Sequence, residues 1–328
     1  MNSEGYEGAA PLDPLGYGEP LPLEVLFFPL GFPVVLRTNS PHVVEAAREG
    51  WEGTQQEFEN PPVELRVIVR PSSAENSPDS LGDPVFRGQG NLLLFLWAKD
   101  NFAVCDLDRT FCFACLSPAV AQNHEFTRYH FLDGMAYCCL DQHYLTPLHA
   151  SCVTLDGKGI LLVGGPGAGK SSLAWACARA GLTFLADDGM HLLRNCQEPM
   201  LIGKPERARF RPEAIQLFPE LAGLPRFETL DSERAFEIRT SDVPGLACAT
   251  RCQPWKIIFL DRRKSGPAAF SRVEGAEMRR RLSQNLAMRE RWVWEEWEAS
   301  IHQLASFEAL ELRYSSLADA VAQIFKLA

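Results

Sequence analysis

The segment GILLVGGPGAGKSSLAWACAR, Gly159–Arg179, joins an apolar run to an alanine-rich stretch through a glycine-rich turn. Ile160–Val163 reads as a strand covered on both faces, because a short unbroken apolar run bounded by turn residues has that character. Lys170 to Ala180 reads as a helix. Between them Gly164, Gly165, Pro166, Gly167, Ala168, Gly169, Lys170 and Ser171 satisfy G-x-x-x-x-G-K-[ST], in the strand-to-helix context that pattern requires. At ordinary residue frequencies the four fixed positions arise by accident in about one chain in a hundred of this length. The glycines let successive N–H groups turn inward around phosphate oxygens, and the helix start adds its positive dipole end. Lys170 then neutralises charge on the transferred group, Ser171 offers a hydroxyl ligand to Mg²⁺, and Ser172 opens the helix beside it. The expected ligands are ATP and Mg²⁺.

Beyond this helix the chain runs through Thr183–Leu185 to Ala186, Asp187, Asp188 and Gly189. Ligands of open α/β sheets gather at such strand ends. One carboxylate can hold Mg²⁺, directly or through water, while the other accepts a proton from an attacking hydroxyl. Ser171, Asp187 and Asp188 are therefore the expected metal set. Asp-Asp-Gly is also turn chemistry, so a solvated turn is the alternative. Asp261, after the apolar run of Lys256–Leu260, competes for the metal, but Arg262 and Arg263 offer it ordinary partners, and Asp187 and Asp188 rank above it.

Lys204, Arg207, Arg209 and Arg211 form a local basic strip. Positions 207, 209 and 211 share one face if extended, and guanidinium groups grip phosphate or carboxylate bidentately. Arg209 and Arg211 are accordingly candidates for nucleotide binding, against the alternative of a charge-protected edge strand.

Around this core the 328 residues leave room for two domains. Apolar residues make up 46% of the chain and charged ones 23%, the balance of a globular protein. A net charge of −10 gives no general attraction to nucleic acid or an anionic membrane. The first residues lack a secretory signal and the longest apolar run, Leu92–Ala98, is far too short to span a bilayer, so a cytoplasmic protein is expected. A homo-oligomer is compatible with all of this. Cys112 and Cys115 form C-x-x-C, with Cys138 and Cys139 following, but adjacent cysteines reproduce a zinc ligand pair poorly. Core thiols are expected there and at Cys248 and Cys252.

Residues 1–20, rich in Gly, Pro and acidic side chains, should be disordered. Residues 21–145 read as an α+β accessory domain, with strands Val25–Leu30, Pro33–Arg37, Glu64–Val69, Asn91–Ala98 and Phe111–Cys115, helices His42–Trp51 and Glu125–Leu140, and a loop Ser72–Pro84. Residues 146–328 alternate β and α patterns as a parallel or mixed sheet with flanking helices does. Further strands are expected at His191–Arg194, Lys256–Leu260 and Ala309–Arg313, and helices at Pro212–Phe218, Ala276–Leu304 and Ser316–Phe325.

Leu148-His149-Ala150, then Asp156–Val163, the loop Gly164–Ser171 and Phe184–Asp188 form one ordered series. The series resembles the C-terminal catalytic domain of HPr kinase/phosphorylase, where a histidine-led strand, a Gly turn, a strand with its P-loop and an Ala-Asp-Asp strand end follow one another. The resemblance implies an α/β P-loop kinase domain of the HPr kinase/phosphoenolpyruvate carboxykinase type. It also implies ATP-dependent phosphorylation of a serine hydroxyl on a protein or peptide. On it, Lys170 and Ser171 bind phosphate and metal, Asp187 or Asp188 is the base, and His149 orients the acidic pair or senses the γ-phosphate. Ser172 and Leu173 depart from the glutamate usual after that loop, and Val243-Pro-Gly-Leu-Ala lacks the family's second Gly-rich signature. These departures argue against HPr itself as the acceptor. An ATP-binding switch with little turnover and a small-molecule kinase are the alternative readings.

Overall fold

The computed structural model describes residues 18–51, 53–71, 84–97, 100–224, 226–228, 234–284, 286 and 289–327. The expected disordered start and the loop Ser72–Pro84 fall almost entirely outside them. The chain divides into two units, between Cys139 and Leu140.

The first unit is built on a seven-stranded sheet. In chain order its elements are β1 (Leu23–Phe27), β2 (Val34–Thr38), α1 (Pro41–Trp51), β3 (Val63–Val69), β4 (Val85–Gln89), β5 (Leu92–Trp97), β6 (Asn101–Asp106) and β7 (Phe111–Leu116). The spatial order is β1-β2-β3-β7-β6-β5-β4, with β2–β3 and β3–β7 parallel and the other pairs antiparallel. Two strands, β4 and β6, have no counterpart in the expectations. Their sequences, VFRGQ and NFAVCD, dilute the β-branched and aromatic residues that mark strands with Arg, Gly, Gln, Ala and Asp. Conversely, β1 stops at Phe27 instead of reaching Leu30, because Pro29 opens a tight turn in which Leu30 takes φ 54°.

After β7 come α2 (Pro118–Gln122), α3 (His124–Phe126), a π-helical turn over Thr127–Asp133, and α4 (Gly134–His143), in which the unit boundary falls. Arg128 is buried against Gly50 of α1, where a Cβ would collide with its Cδ at 2.6 Å. Trp51 Nε1 donates to Asp133 Oδ1 at 2.9 Å, so one polar pair ties α1 to the π turn. Cys105, Cys112, Cys115 and Cys139 are buried thiols, and burial pushes Cys112 well above its ordinary value. Cys248, expected in a core, is exposed.

The second unit contains β8 (Leu145–Leu148), β9 (Ala150–Leu155), β10 (Lys158–Val163), α5 (Lys170–Arg179), β11 (Thr183–Ala186), β12 (Met190–Leu193), β13 (Leu201–Ile202), β14 (Arg207–Phe210), β15 (Arg226–Glu228), β16 (Arg234–Arg239), β17 (Arg251–Arg262), β18 (Ala269–Arg272), α6 (Gly275–Ser283), α7 (Arg291–Gln303), β19 (Glu308–Tyr314) and α8 (Leu317–Phe325). The main sheet is mixed: β11-β9-β10-β17-β13-β12-β8, with β19 also along β17 and β18 beyond it. β10, β17 and β19 are parallel. A separate sheet runs β14-β16-β15.

Alternation along the central strands explains their unbroken apolar sequence. Ile160 and Leu162 of β10, with Ile258 and Leu260 of β17, face a cluster containing Leu173, Trp175, Ala320 and Ile324 of α5 and α8. Leu161, Val163, Ile257 and Phe259 face the opposite cluster, with Met278, Leu282, Ile301 and Leu304. Both faces are dry, as a strand flanked by helices on each side requires.

Two helical expectations are corrected. Ala276–Leu304 is not one helix but α6 and α7, broken after Ser283. Leu282 and Val293 stand about three turns apart, so the apolar spacing runs through the break in phase. Pro212–Phe218 is a 3-10 turn over Pro212–Gln216, and a second follows at Pro219–Leu221, since proline has no N–H to continue the helix. No described helix is long and apolar enough to cross a membrane.

Candidate active site

Register assembles the site. β9 and β10 are joined by the two-residue turn Asp156–Gly157, both with positive φ (50° and 77°), the geometry of a tight hairpin. The antiparallel pairing then sets Val163 opposite Ala150, and Ala186 of β11 opposite Cys152 on the other side of β9. One step further along each strand, His149, Gly164 and Asp187 therefore lie at the same edge of the sheet. The distant segments of the expected series are gathered there by strand pairing alone.

The loop from Gly164 to Gly169 crosses from β10 to α5. Gly164 packs so closely that a Cβ would meet that of Ala168 at 2.7 Å, with Leu260 of β17 behind it. Gly167 and Gly169 hold φ of 78° and 92°, which side chains rarely adopt. Gly165, Pro166 and Gly167 are exposed, and a Cβ at Gly165 or Gly167 would meet nothing. The loop is thus packed on its inner side and open on its outer rim.

A residue outside the sequence expectations supports it. Tyr314, at the end of β19, donates its hydroxyl to Ala168 O at 2.7 Å, and the same hydroxyl occupies the space a Cβ at Gly169 would need. Burial pushes its phenol up to about 12, so it stays a donor at ordinary pH. It lies 146 positions from its partner, and no local pattern marks it.

Lys170 is buried at the start of α5 and folds back over the loop. Its Nζ donates to Gly164 O and to His149 Nε2, both at 2.9 Å. Burial lowers its pKa, the charges of Asp188 and Asp187 oppose this, and Arg211 adds to it. Arg211 therefore stands within electrostatic reach of the site. Because Nε2 of His149 faces an ammonium, its lone pair points there and the proton sits on Nδ1. Nδ1 lies 2.9 Å from Asp188 Oδ1. Lys170, His149 and Asp188 form one directed chain of hydrogen bonds.

The two aspartates have opposite environments. Asp188 is half exposed, and its Oδ1 also accepts from the Gly189 N–H at 3.1 Å. Burial would raise its carboxyl, but the His149 hydrogen bond, with the charge of Lys170, brings it below the usual range. Asp187 is buried, its Oδ2 accepting from Arg209 N at 2.5 Å. Burial pushes it up to about 7, Asp188 adds to the rise, and Arg209 opposes it. Its backbone carbonyl accepts from Ser151 and, at 3.3 Å, from Ser171 Oγ. Ser172 is half buried on the first turn of α5.

The basic strip separates. β14 is an edge strand, and the side chains of Arg207 and Arg209 both hold Glu237 of β16, at 2.5 and 2.8 Å. Arg209 meets Asp187 through its main chain and its charge, whereas Arg211 acts on Lys170 through its charge. Asp261 pairs with Arg263 at 2.6 Å and with Arg313 at 3.5 Å.

The donors present suit a phosphate-bound magnesium. Among the described residues no group of three or more His, Cys, Asp or Glu side chains is gathered as a metal site. Magnesium keeps several waters and is held by one or two carboxylates plus phosphate oxygens, so it needs no such cage. Ser171, Asp187 and Asp188, beside the open outer rim of the glycine loop, fit that mode.

No family model matches the chain. An HPr kinase/phosphorylase of Shouchella clausii (strain KSM-K16) is 35% identical over 80 residues, 24% of this chain and 24% of that protein. The chain thus spans about a quarter of the length of the curated relative it matches. The solved HPr(Ser) kinase/phosphatase from Coxiella burnetii aligns over 55% of this chain and 96% of its own at 13% identity. Its TM-score of 0.32 is too low to equate the two folds. Over those 80 residues the chain is similar to an HPr kinase/phosphorylase, the family that the ordered series from His149 through Gly164–Ser171 to Asp187 and Asp188 resembles.

Proposed function

We propose that the second unit is an ATP-dependent phosphotransferase that moves the γ-phosphoryl group to a hydroxyl, a serine, of a protein or peptide, with the first unit as an accessory domain. The observation that carries the reading is the chain Lys170–His149–Asp188 across the mouth of the loop. It links a phosphate-binding cation to an ionised, half-exposed carboxylate. Bound ATP with Mg²⁺ supplies the phosphoryl group and spreads its charge.

This chain's residues do the rest. The N–H groups of Gly165, Gly167 and Gly169 and the Lys170 ammonium hold the phosphates, Ser171 offers its hydroxyl to the metal, and Arg211 adds positive potential. Asp188 takes the proton of the attacking hydroxyl. Its Oδ1 is already engaged by His149 and Gly189, which turns Oδ2 toward that task. His149 fixes the carboxylate in place and lowers its pKa, keeping it ionised. Asp187 faces the metal side, held by Arg209 N. As the serine oxygen bonds to phosphorus, the bond to the ADP oxygen breaks and ADP carries the electron pair away.

The test is transfer of label from ATP to a panel of serine-bearing proteins and peptides, with serine-to-alanine acceptors as controls. Asp188→Asn should lower transfer by about 10²–10⁴-fold with nucleotide affinity largely kept. Nucleotide binding without transfer to any hydroxyl acceptor, or unchanged transfer by Asp188→Asn, overturns the reading.

A further inference from the structure

The first unit holds a histidine pair that the phosphotransfer site does not use. His42 is the second residue of α1 and His124 opens α3, 82 positions later. Their rings meet with His42 Nδ1 3.3 Å from His124 Nε2, at an interplanar angle of 52°. On the far side of His124, Nδ1 lies 2.7 Å from Oε1 of Glu49, two turns along α1 from His42. That contact places the His124 proton on Nδ1 and leaves Nε2, on the side of His42, with its lone pair.

Two features of this pair suit a shared metal ion as well as a hydrogen bond. A separation of 3.3 Å exceeds the ~2.9–3.0 Å typical of an N–H donor bond. It equals the edge of a tetrahedron built on Zn–N bonds of about 2.0–2.1 Å, which is about 3.3–3.4 Å. The second feature is Glu49. A carboxylate on the remote nitrogen is the partner that fixes the tautomer of a metal-bound imidazole and raises its basicity. Both rings are also reachable, since His42 is exposed and the His124 side chain is 26% exposed.

We propose that His42 and His124 bind a divalent transition metal of the zinc class, with Glu49 as the orienting carboxylate and water filling the remaining positions. Imidazole donors select zinc, nickel or copper over magnesium and calcium, so this site is chemically separate from the one at the glycine loop. Two protein ligands make it an open, exchangeable site. The metal would clip the start of α1 to α3.

The full chain, stripped with a chelator and kept in a non-coordinating reductant, is titrated with Zn²⁺ by calorimetry. One equivalent should bind, with an affinity lost in His42→Ala and in His124→Ala and weakened about 10–100-fold in Glu49→Gln. Substitution of Co²⁺ should give visible absorption that the histidine variants lack. Glu49→Gln leaves both ligands in place and isolates the orienting role. The proposal is overturned if no Zn²⁺ binds with a dissociation constant below about 1 mM. It is equally overturned if binding persists in both histidine variants, which would put the metal on thiols such as the exposed Cys248.

Discussion

The two adjacent aspartates show how much a single residue's surroundings decide. Asp187 and Asp188 are chemically identical, yet burial takes one up to about 7 while His149 and Lys170 hold the other below the ordinary range. The folded value of Asp187 lies above its unfolded value, so its protonated form favours folding. That contribution is complete below about pH 4 and is lost as pH climbs through about 7. Asp141, also buried and raised to about 7 against the charges of Arg289 and Arg194, adds a second loss over the same window. Asp187→Asn should therefore flatten the fall in unfolding free energy between about pH 5 and 8, by on the order of a few kcal/mol at the upper end. An unchanged pH dependence in thermal melts would place the Asp187 carboxylate in water instead. Tyr314→Phe removes only a hydroxyl. It should raise the KM for nucleotide several-fold by releasing Ala168 O, with the rate at saturation less affected, and steady-state kinetics would read this directly. Arg209→Ala, by contrast, leaves the main-chain bond to Asp187 intact, and should cost less nucleotide affinity than Arg211→Ala.

At the scale of elements, the hairpin β9–β10 sets the position of His149 relative to the loop. A one-residue slip in a strand reverses every side chain, so this register has to be held firmly. Gly157 holds φ 77° in the connecting turn, where a Cβ would touch nothing but the conformation itself disfavours side chains. Gly157→Val should cost about 1–2 kcal/mol, the penalty for a left-handed side-chain residue, visible as a lower urea midpoint. Gly169→Ala meets both obstacles, φ of 92° and the Tyr314 hydroxyl, and should harm nucleotide binding more than global stability. The sequence series was readable because each piece has its own local signature: an apolar run, a glycine pattern, two carboxylates. Tyr314 and Glu237 have none, because their roles arise from β19 and β16 lying next to segments far away in the chain.

For the whole molecule, each unit has its own sheet, and the nucleotide contacts proposed here all belong to the second. Saturating ATP with Mg²⁺ should slow amide exchange at Gly164–Ser172 and around Asp187–His191. Stabilisation of about 2.7 kcal/mol is expected at a hundredfold excess over the dissociation constant. Protection confined to residues 18–139 would put the nucleotide elsewhere.

The sequence by itself determined the glycine loop, the strand and helix on either side of it, and the acidic strand end, since these depend on the order of neighbouring residues and on backbone conformations only glycine accepts. It also carried the alternation of β and α patterns in the second unit. Tertiary structure alone decided that β17 lies between β10 and β19, that α6 and α7 are separate helices, and that Arg209 reaches Asp187 through its main chain. The reason is physical: local patterns record which face of an element is apolar, whereas hydrogen-bond partners, burial and the resulting pKa values are set by whichever distant strand packs alongside.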